Sequence, residues 1–262
     1  MLDQLIHART SLAADVLLVQ LSGRLRFELE RIAIGPREEA RTALDRLSAT
    51  VGFGLRLVAP ATVVITGAPN VGKSTLANAL VGRERSIVHH LPGTTRDAVT
   101  SVASLEGLPV VVVDTAGLRE AEDEIECIGV SKAIAKAAVC DAVVWVFDHS
   151  RDVTEDEVRY LEELKGQALV PVINKIDLAG PLDVPRLRSM VGADVQRTCA
   201  LTGRGIDQLR RKLLVELVGT ALPNRDAAVV TLTEVADALA KACERIDSGS
   251  GDEPLLDPSL LE

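Results

Sequence analysis

Residues Gly67-Ala68-Pro69-Asn70-Val71-Gly72-Lys73-Ser74 follow the apolar run Val63-Val64-Ile65 and precede the helix-competent stretch Thr75–Leu80. A strand that turns at once into a helix requires a sheet with that helix packed across it, so this segment restricts the fold more than any other. Gly67 and Gly72 allow a turn whose N–H groups converge on an anion. Lys73 adds a point charge, and the Ser74 hydroxyl suits a hard divalent cation. The pattern points to a nucleoside triphosphate held by its phosphates together with Mg²⁺.

Asn174-Lys175-Ile176-Asp177 closes the apolar run Leu169–Ile173. A carboxylate there can accept from both N1–H and the 2-amino group of guanine, whereas adenine offers neither donor on that edge. Alone, the quartet also reads as a solvated turn after a strand. Its order and spacing after a phosphate loop favour base recognition, and the nucleotide becomes GTP. Asp114-Thr115-Ala116-Gly117 follows the valines Val110–Val113, a run suited to a strand buried on both faces. From a strand end, Asp114 can hold a water of the Mg²⁺ shell while the Gly117 N–H reaches the γ-phosphate. Thr94-Thr95-Arg96-Asp97 lies between the first core helix and the second strand, where a threonine contacts Mg²⁺ once the γ-phosphate holds the loop closed. Cys199-Ala200-Leu201 would support the guanine ring from its backbone.

Together these segments resemble the TRAFAC-class GTPases, and among them the MnmE/TrmE-type tRNA-modification GTPases. Asp114 to Gly129 reads D-T-A-G-L-R-E-A-E-D-E-I-E-C-I-G, similar to that family's second-switch segment along its whole length. Leu5-Ile6-His7-Ala8-Arg9-Thr10 and Gln20-Leu21-Ser22-Gly23 resemble the start of its helical domain. Family members also carry an N-terminal folate-binding domain and a Cys-Ile-Gly-Lys tail, and the chain reads as a shortened form without either. The resemblance implies a GTPase whose G domains pair transiently when GTP is bound, with GTP and GDP as ligands and an FAD-dependent tRNA-modification protein as a partner.

It also implies a particular catalytic apparatus. Leu118 stands where Ras-like switches carry a water-orienting glutamine. In MnmE-type enzymes the phosphate-loop asparagine, here Asn70, ligates K⁺, which supplies the charge of an arginine finger. Residue matching adds His89, Leu91 and Thr94 to that K⁺ set, the first two through backbone carbonyls. Glu126 matches the glutamate that orients water; without the resemblance it reads as a surface acid. Mg²⁺ would be held by Ser74, Thr95 and phosphate oxygens, with Asp114 acting through water. The expected GTP contacts are Asn70, Val71, Gly72, Lys73, Ser74, Thr75, Thr95, Asp114, Gly117, Asn174, Lys175, Asp177, Cys199, Ala200 and Leu201, with Asn70, Lys73 and Glu126 as the catalytic group. An Era- or Der-like ribosome-assembly GTPase and a nucleotide-binding scaffold without turnover are the alternatives.

The fold expected is α/β: a GTPase domain with a mostly parallel sheet and helices on both faces, inserted between two parts of a small helical domain. Residues 1–58 read as the first helical segment, with Ala14, Leu18, Leu21, Leu25, Leu29 and Ile32 as its apolar stripe. Residues 59–220 form the GTPase domain, and 221–262 a helix with a flexible acidic tail. A net charge of −9 disfavours a free-standing nucleic-acid binder, and Arg204, Arg210, Arg211 and Lys212 read as a solvated helix face. The four cysteines include no C-x-x-C pair, and no apolar run approaches a membrane span, which suits a cytoplasmic protein.

Overall fold

A computed structural model describes residues 2–82, 99–114, 140–219, 222–224, 226–248 and 255–261. The chain divides into two units, Met1–Pro60 with Val218–Glu262, and Ala61–Leu217. The first opens with helices α1 (Leu2–Ile6), α2 (Ser11–Leu21), α3 (Arg24–Ile34), α4 (Arg37–Ser48) and α5 (Val51–Val58). Thr10 starts α2 by accepting from the Ala13 N–H at 3.1 Å, a side-chain N-cap. Pro36, lacking a donor, separates α3 from α4 and caps the latter.

The second unit contains β1 (Ala61–Gly67), α6 (Lys73–Val81), β2 (Val99–Leu105), β3 (Leu108–Asp114), β4 (Ala142–Asp148), α7 (Glu155–Glu163), β5 (Leu169–Asn174), α8 (Val184–Val191), β6 (Gln196–Arg197) and α9 (Ile206–Val218). Its strands lie in the order β2-β3-β1-β4-β5-β6. Every pairing is parallel except β2 with β3, whose hairpin turns at Glu106 and Gly107 with φ of 52° and 96°. This is the mostly parallel α/β sheet that the sequence implies. All seven residues of β4 are buried, as a strand covered on both faces requires. On one face Val143, Trp145 and Phe147 join Ile173 of β5 against Leu161, Leu164 and Leu187. Because β1, β3, β4 and β5 run the same way, Gly67, Asp114, Asp148 and Asn174 all finish at one edge of the sheet. Open sheets of this kind bind ligands at that edge.

Two expectations about surface residues are corrected here. Arg210 is not on a solvated face: it is 9% exposed, and its guanidinium donates to the Ala79 and Leu80 carbonyls at 3.2 and 2.7 Å. Those carbonyls end α6, where the helix leaves acceptors unpaired and favours a cation. In α2 the stripe is shifted, with Leu12, Ala13, Val16, Leu17 and Gln20 buried and Leu18 52% exposed. Apolar residues surround α2, so helical periodicity does not select a face, and the partners of Gln20 decide it.

Those partners belong to the C-terminal part of the helical unit. Gln20 Nε2 donates to the Ala227 carbonyl at 3.2 Å, and its Oε1 accepts from the Val229 N–H at 3.0 Å. Thr50 Oγ1 accepts from the Val230 N–H at 3.2 Å. The backbone passes so close to α5 that a Cβ at Gly54 would collide with the Val230 carbonyl oxygen. Helix α10 (Thr233–Asp247) then lays Val235, Leu239 and Ala242 into one core with Leu25, Leu29, Ile32, Leu44 and Leu47. Cys243 is half-buried beside it, its Sγ 3.8 Å from Ser48 Oγ. Near the C-terminus Leu256 is 2% exposed in the same core, and Leu255 and Leu260 pack on it.

Candidate functional site

The loop from β1 to α6 takes its shape from two left-handed residues, Asn70 at φ 62° and Gly72 at φ 94°. Residues of alternating handedness turn successive N–H groups toward one point and make an anion-binding concavity. Gly72 has a second reason to lack a side chain, since a Cβ there would lie 2.5 Å from Asn174 Nδ2. Val71 is fully buried and anchors the loop, whereas Asn70, Ser74 and Thr75 are exposed. Lys73 opens α6 and folds back along the loop, donating to the Gly67 and Ala68 carbonyls at 3.0 and 2.9 Å.

Asp114 stands at the end of β3, paired in register with Ile65 of β1, and is 8% exposed. The adjoining strand therefore ends in a carboxylate next to the strand that feeds the glycine-bearing loop before α6. A hydroxyl in the first turn of α6 and a carboxylate at this strand end are the oxygen donors Mg²⁺ takes, alongside substrate phosphates and water. Among the described residues no group of three or more His, Cys, Asp or Glu side chains is placed to hold a metal by itself.

Asn174, at the end of β5 and 2% exposed, ties two other segments together. Its Nδ2 donates to the Val71 carbonyl at 3.0 Å, and its Oδ1 accepts from the Ala200 N–H at 2.9 Å and from Thr198 Oγ1 at 3.3 Å. Lys175, at φ 60°, extends its ammonium to the Asn70 carbonyl at 2.7 Å and to Asp148 Oδ2 at 2.6 Å. Asp177 is exposed on the turn that follows, closed by the Leu178 N–H donating to the Lys175 carbonyl at 3.0 Å. Cys199 is 1% exposed and fixed by its N–H to the Arg204 carbonyl, Ala200 is 8% exposed, and Leu201 projects outward at 82%.

The fold thus gathers Asn70, Val71, Gly72, Asn174, Lys175, Cys199 and Ala200 into one rim, with Lys73, Ser74, Thr75 and Asp114 on the adjoining loop and strand end. Asp177 and Leu201 face outward at its border. His89, Leu91, Thr94, Thr95, Gly117 and Glu126 lie outside the described residues. Sequence reasoning passed over Asp148. Burial in itself would raise its carboxyl pKa, but hydrogen bonds from Lys175 and Ser150 outweigh this and hold it below the usual carboxylate value. An acid closing a fully apolar strand, beside a strand ending in Asn-Lys, was the available signal.

The 50S ribosome-binding GTPase family model matches residues 62–175. The chain is 34% identical over 206 residues to the tRNA modification GTPase MnmE of Clostridioides difficile (strain 630), covering 78% of this chain and 45% of that protein. It is 31% identical over 283 aligned residues to the protein of the same name from Geobacillus thermodenitrificans (strain NG80-2), covering 94% of this chain and 61% of that one. The chain spans about half the length of such curated relatives. Among solved structures it is similar to the G domain of the T. maritima FeoB iron transporter, with 24% identity, 60% of this chain and 98% of that chain covered, and a TM-score of 0.46.

Proposed function

We propose that this chain, which belongs to the MnmE-type GTPases over the span it shares with them and so binds and hydrolyses GTP, is a K⁺-stimulated switch whose G domains pair in the GTP state. The observation that carries the reading is Asn174, which bonds Val71 of the phosphate loop and Ala200 of the base-supporting loop at once. Such a tie gives a triphosphate and a guanine a fixed separation. Phosphates rest in the concavity of residues 67–72, with Lys73 as the point charge. Asp177 accepts from N1–H and the 2-amino group of the base. Cys199, Ala200 and Leu201 support the ring from their backbone.

Ser74, Thr95 and Asp114 would hold Mg²⁺, which would offset phosphate charge, and the Gly117 N–H would serve the γ-phosphate. Asn70 is exposed on the loop, and its carbonyl is held by Lys175. Its side chain joins the His89 and Leu91 carbonyls and Thr94 as the K⁺ ligand set. Bound K⁺ would supply positive charge to the phosphates. Glu126 orients the attacking water, the task that Leu118 lacks the chemistry to do. Downstream, the reading places the switch beside an FAD-dependent tRNA-modification protein in the cytoplasm. Among the described residues no helix is long and apolar enough to cross a membrane.

The description of the matching family model favours a second reading, a switch that acts on the large ribosomal subunit. One assay separates the two. GTP turnover is measured in KCl and NaCl at matched ionic strength, with and without 50S subunits, for the parent chain and for Asn70→Ala. Turnover should be faster in K⁺, and Asn70→Ala should abolish that advantage while leaving GDP affinity nearly intact. Equal rates in the two salts would sink the K⁺ reading, and stimulation by 50S subunits alone would favour the second.

A further inference from the structure

The ammonium of Lys175 is shared between two elements, the Asn70 carbonyl of the phosphate loop at 2.7 Å and Asp148 at the end of β4 at 2.6 Å. Asp148 is itself fixed. It pairs in register with Asn174 across β4 and β5 and is 7% exposed. Its Oδ1 accepts from both the Ser150 N–H at 2.8 Å and the Ser150 hydroxyl at 2.6 Å, which leaves Oδ2 for Lys175. A carboxylate withdrawn from water at the end of an apolar strand is stable only when paired and hydrogen-bonded, and this one has both. The cation it holds also reaches across to the loop that cradles phosphate. The path from the rigid centre of the sheet to that loop is therefore β4, Asp148, Lys175 and Asn70.

We propose that Asp148 is a positioning residue of the nucleotide site: by fixing the Lys175 ammonium against the Asn70 carbonyl, it sets how long a bound guanine nucleotide stays. The inference rests on the GTP-site reading above. Asp148 touches neither phosphate nor base in this scheme and acts through Lys175. Substitution by asparagine keeps the size of the side chain and an oxygen for Ser150 while removing the charge that faces the ammonium.

The test is release of a fluorescent N-methylanthraniloyl-GDP from the full chain, followed by stopped flow, for the parent, D148N, K175A and the double variant. Thermal midpoints of the nucleotide-free chains are recorded alongside. D148N should accelerate release about tenfold, and the double variant should release no faster than K175A alone, because the two residues act as one unit. A carboxylate with a purely structural role would lower the thermal midpoint without changing the release rate. Unchanged release in D148N, or effects of D148N and K175A that multiply, would overturn the proposal. Should D148N not fold, S150A removes one of the bonds that orient the carboxylate. It should speed release in the parent background and have no effect in K175A; an equal effect in both would overturn the proposal. A parent chain that failed to bind the labelled GDP, or bound the labelled ADP equally well, would count against the site reading itself.

Discussion

Asn174 in the sheet unit and Gln20 in the helical unit are both buried amides, 2% and 1% exposed, and both bond backbone groups far along the chain. Asn174 reaches Val71, 103 residues away, while Gln20 reaches Ala227 and Val229, 207 and 209 residues away. Each tie is accompanied by a glycine that lets the backbones approach, Gly72 beside Asn174 and Gly54 against the Val230 carbonyl. The chemistry is the same and the geometry differs. Asn174 sits at the carboxyl ends of parallel strands, where the loops it fixes border open space. Gln20 lies among helices and fixes a segment running back into the core of its own unit. A buried amide therefore signals a junction between distant segments, and one of the two junctions lies at the sheet edge where open α/β sheets bind ligands.

Three substitutions sharpen or break this contrast. Asn174→Ala should have the largest effect, because it leaves the Val71 carbonyl and the Ala200 N–H without their partner. Buried groups so orphaned cost about 1–3 kcal/mol each, so GDP affinity should fall by about thirtyfold or more, as read by equilibrium fluorescence titration. Gln20→Ala orphans the Ala227 carbonyl and the Val229 N–H, and chemical denaturation should show a loss of about 2–4 kcal/mol in the helical unit. GDP affinity should stay at the parent value in that variant. A matching loss of affinity would erase the distinction between the two junctions.

Thr154→Ala is the smallest and serves as a control within the sheet unit. The Thr154 hydroxyl oxygen accepts from the Glu157 N–H while the Glu157 carboxylate accepts from the Thr154 N–H, a reciprocal cap at the start of α7. Its removal should lower stability by about 1 kcal/mol and leave nucleotide affinity unchanged. A drop in affinity here would mean that any weakening of the sheet unit reaches the site, and Asn174 would lose its special standing.

What could be read in advance follows the same line. Apolar runs of three to five residues, each followed by a turn or a charge, marked β1, β3 and β5 and placed Asp114 and Asn174 at strand ends, because a doubly covered strand must be apolar throughout. Partnerships between those ends were not legible. Nothing near Asp148 in sequence announces that Lys175 will meet it, since their pairing depends on β4 and β5 lying in register. Arg210 misled for a related reason: beside Arg211 and Lys212 it looks like one more solvated cation, and only the tertiary approach of α6 gives it two carbonyls to satisfy. In α2, where Leu12, Val16, Leu17 and Leu18 crowd every side, the buried face was set by Gln20 and backbone partners that lie more than two hundred residues away.

Strand β6 holds only Gln196 and Arg197, and it ends the sheet beyond β5. An outermost strand offers a row of unpaired N–H and C=O groups to any extended peptide, and two residues offer almost none. The exposed Arg197 adds charge to what remains. This flank is therefore blunt. Among the described residues, this side leaves a second copy of the chain little edge on which to continue the sheet.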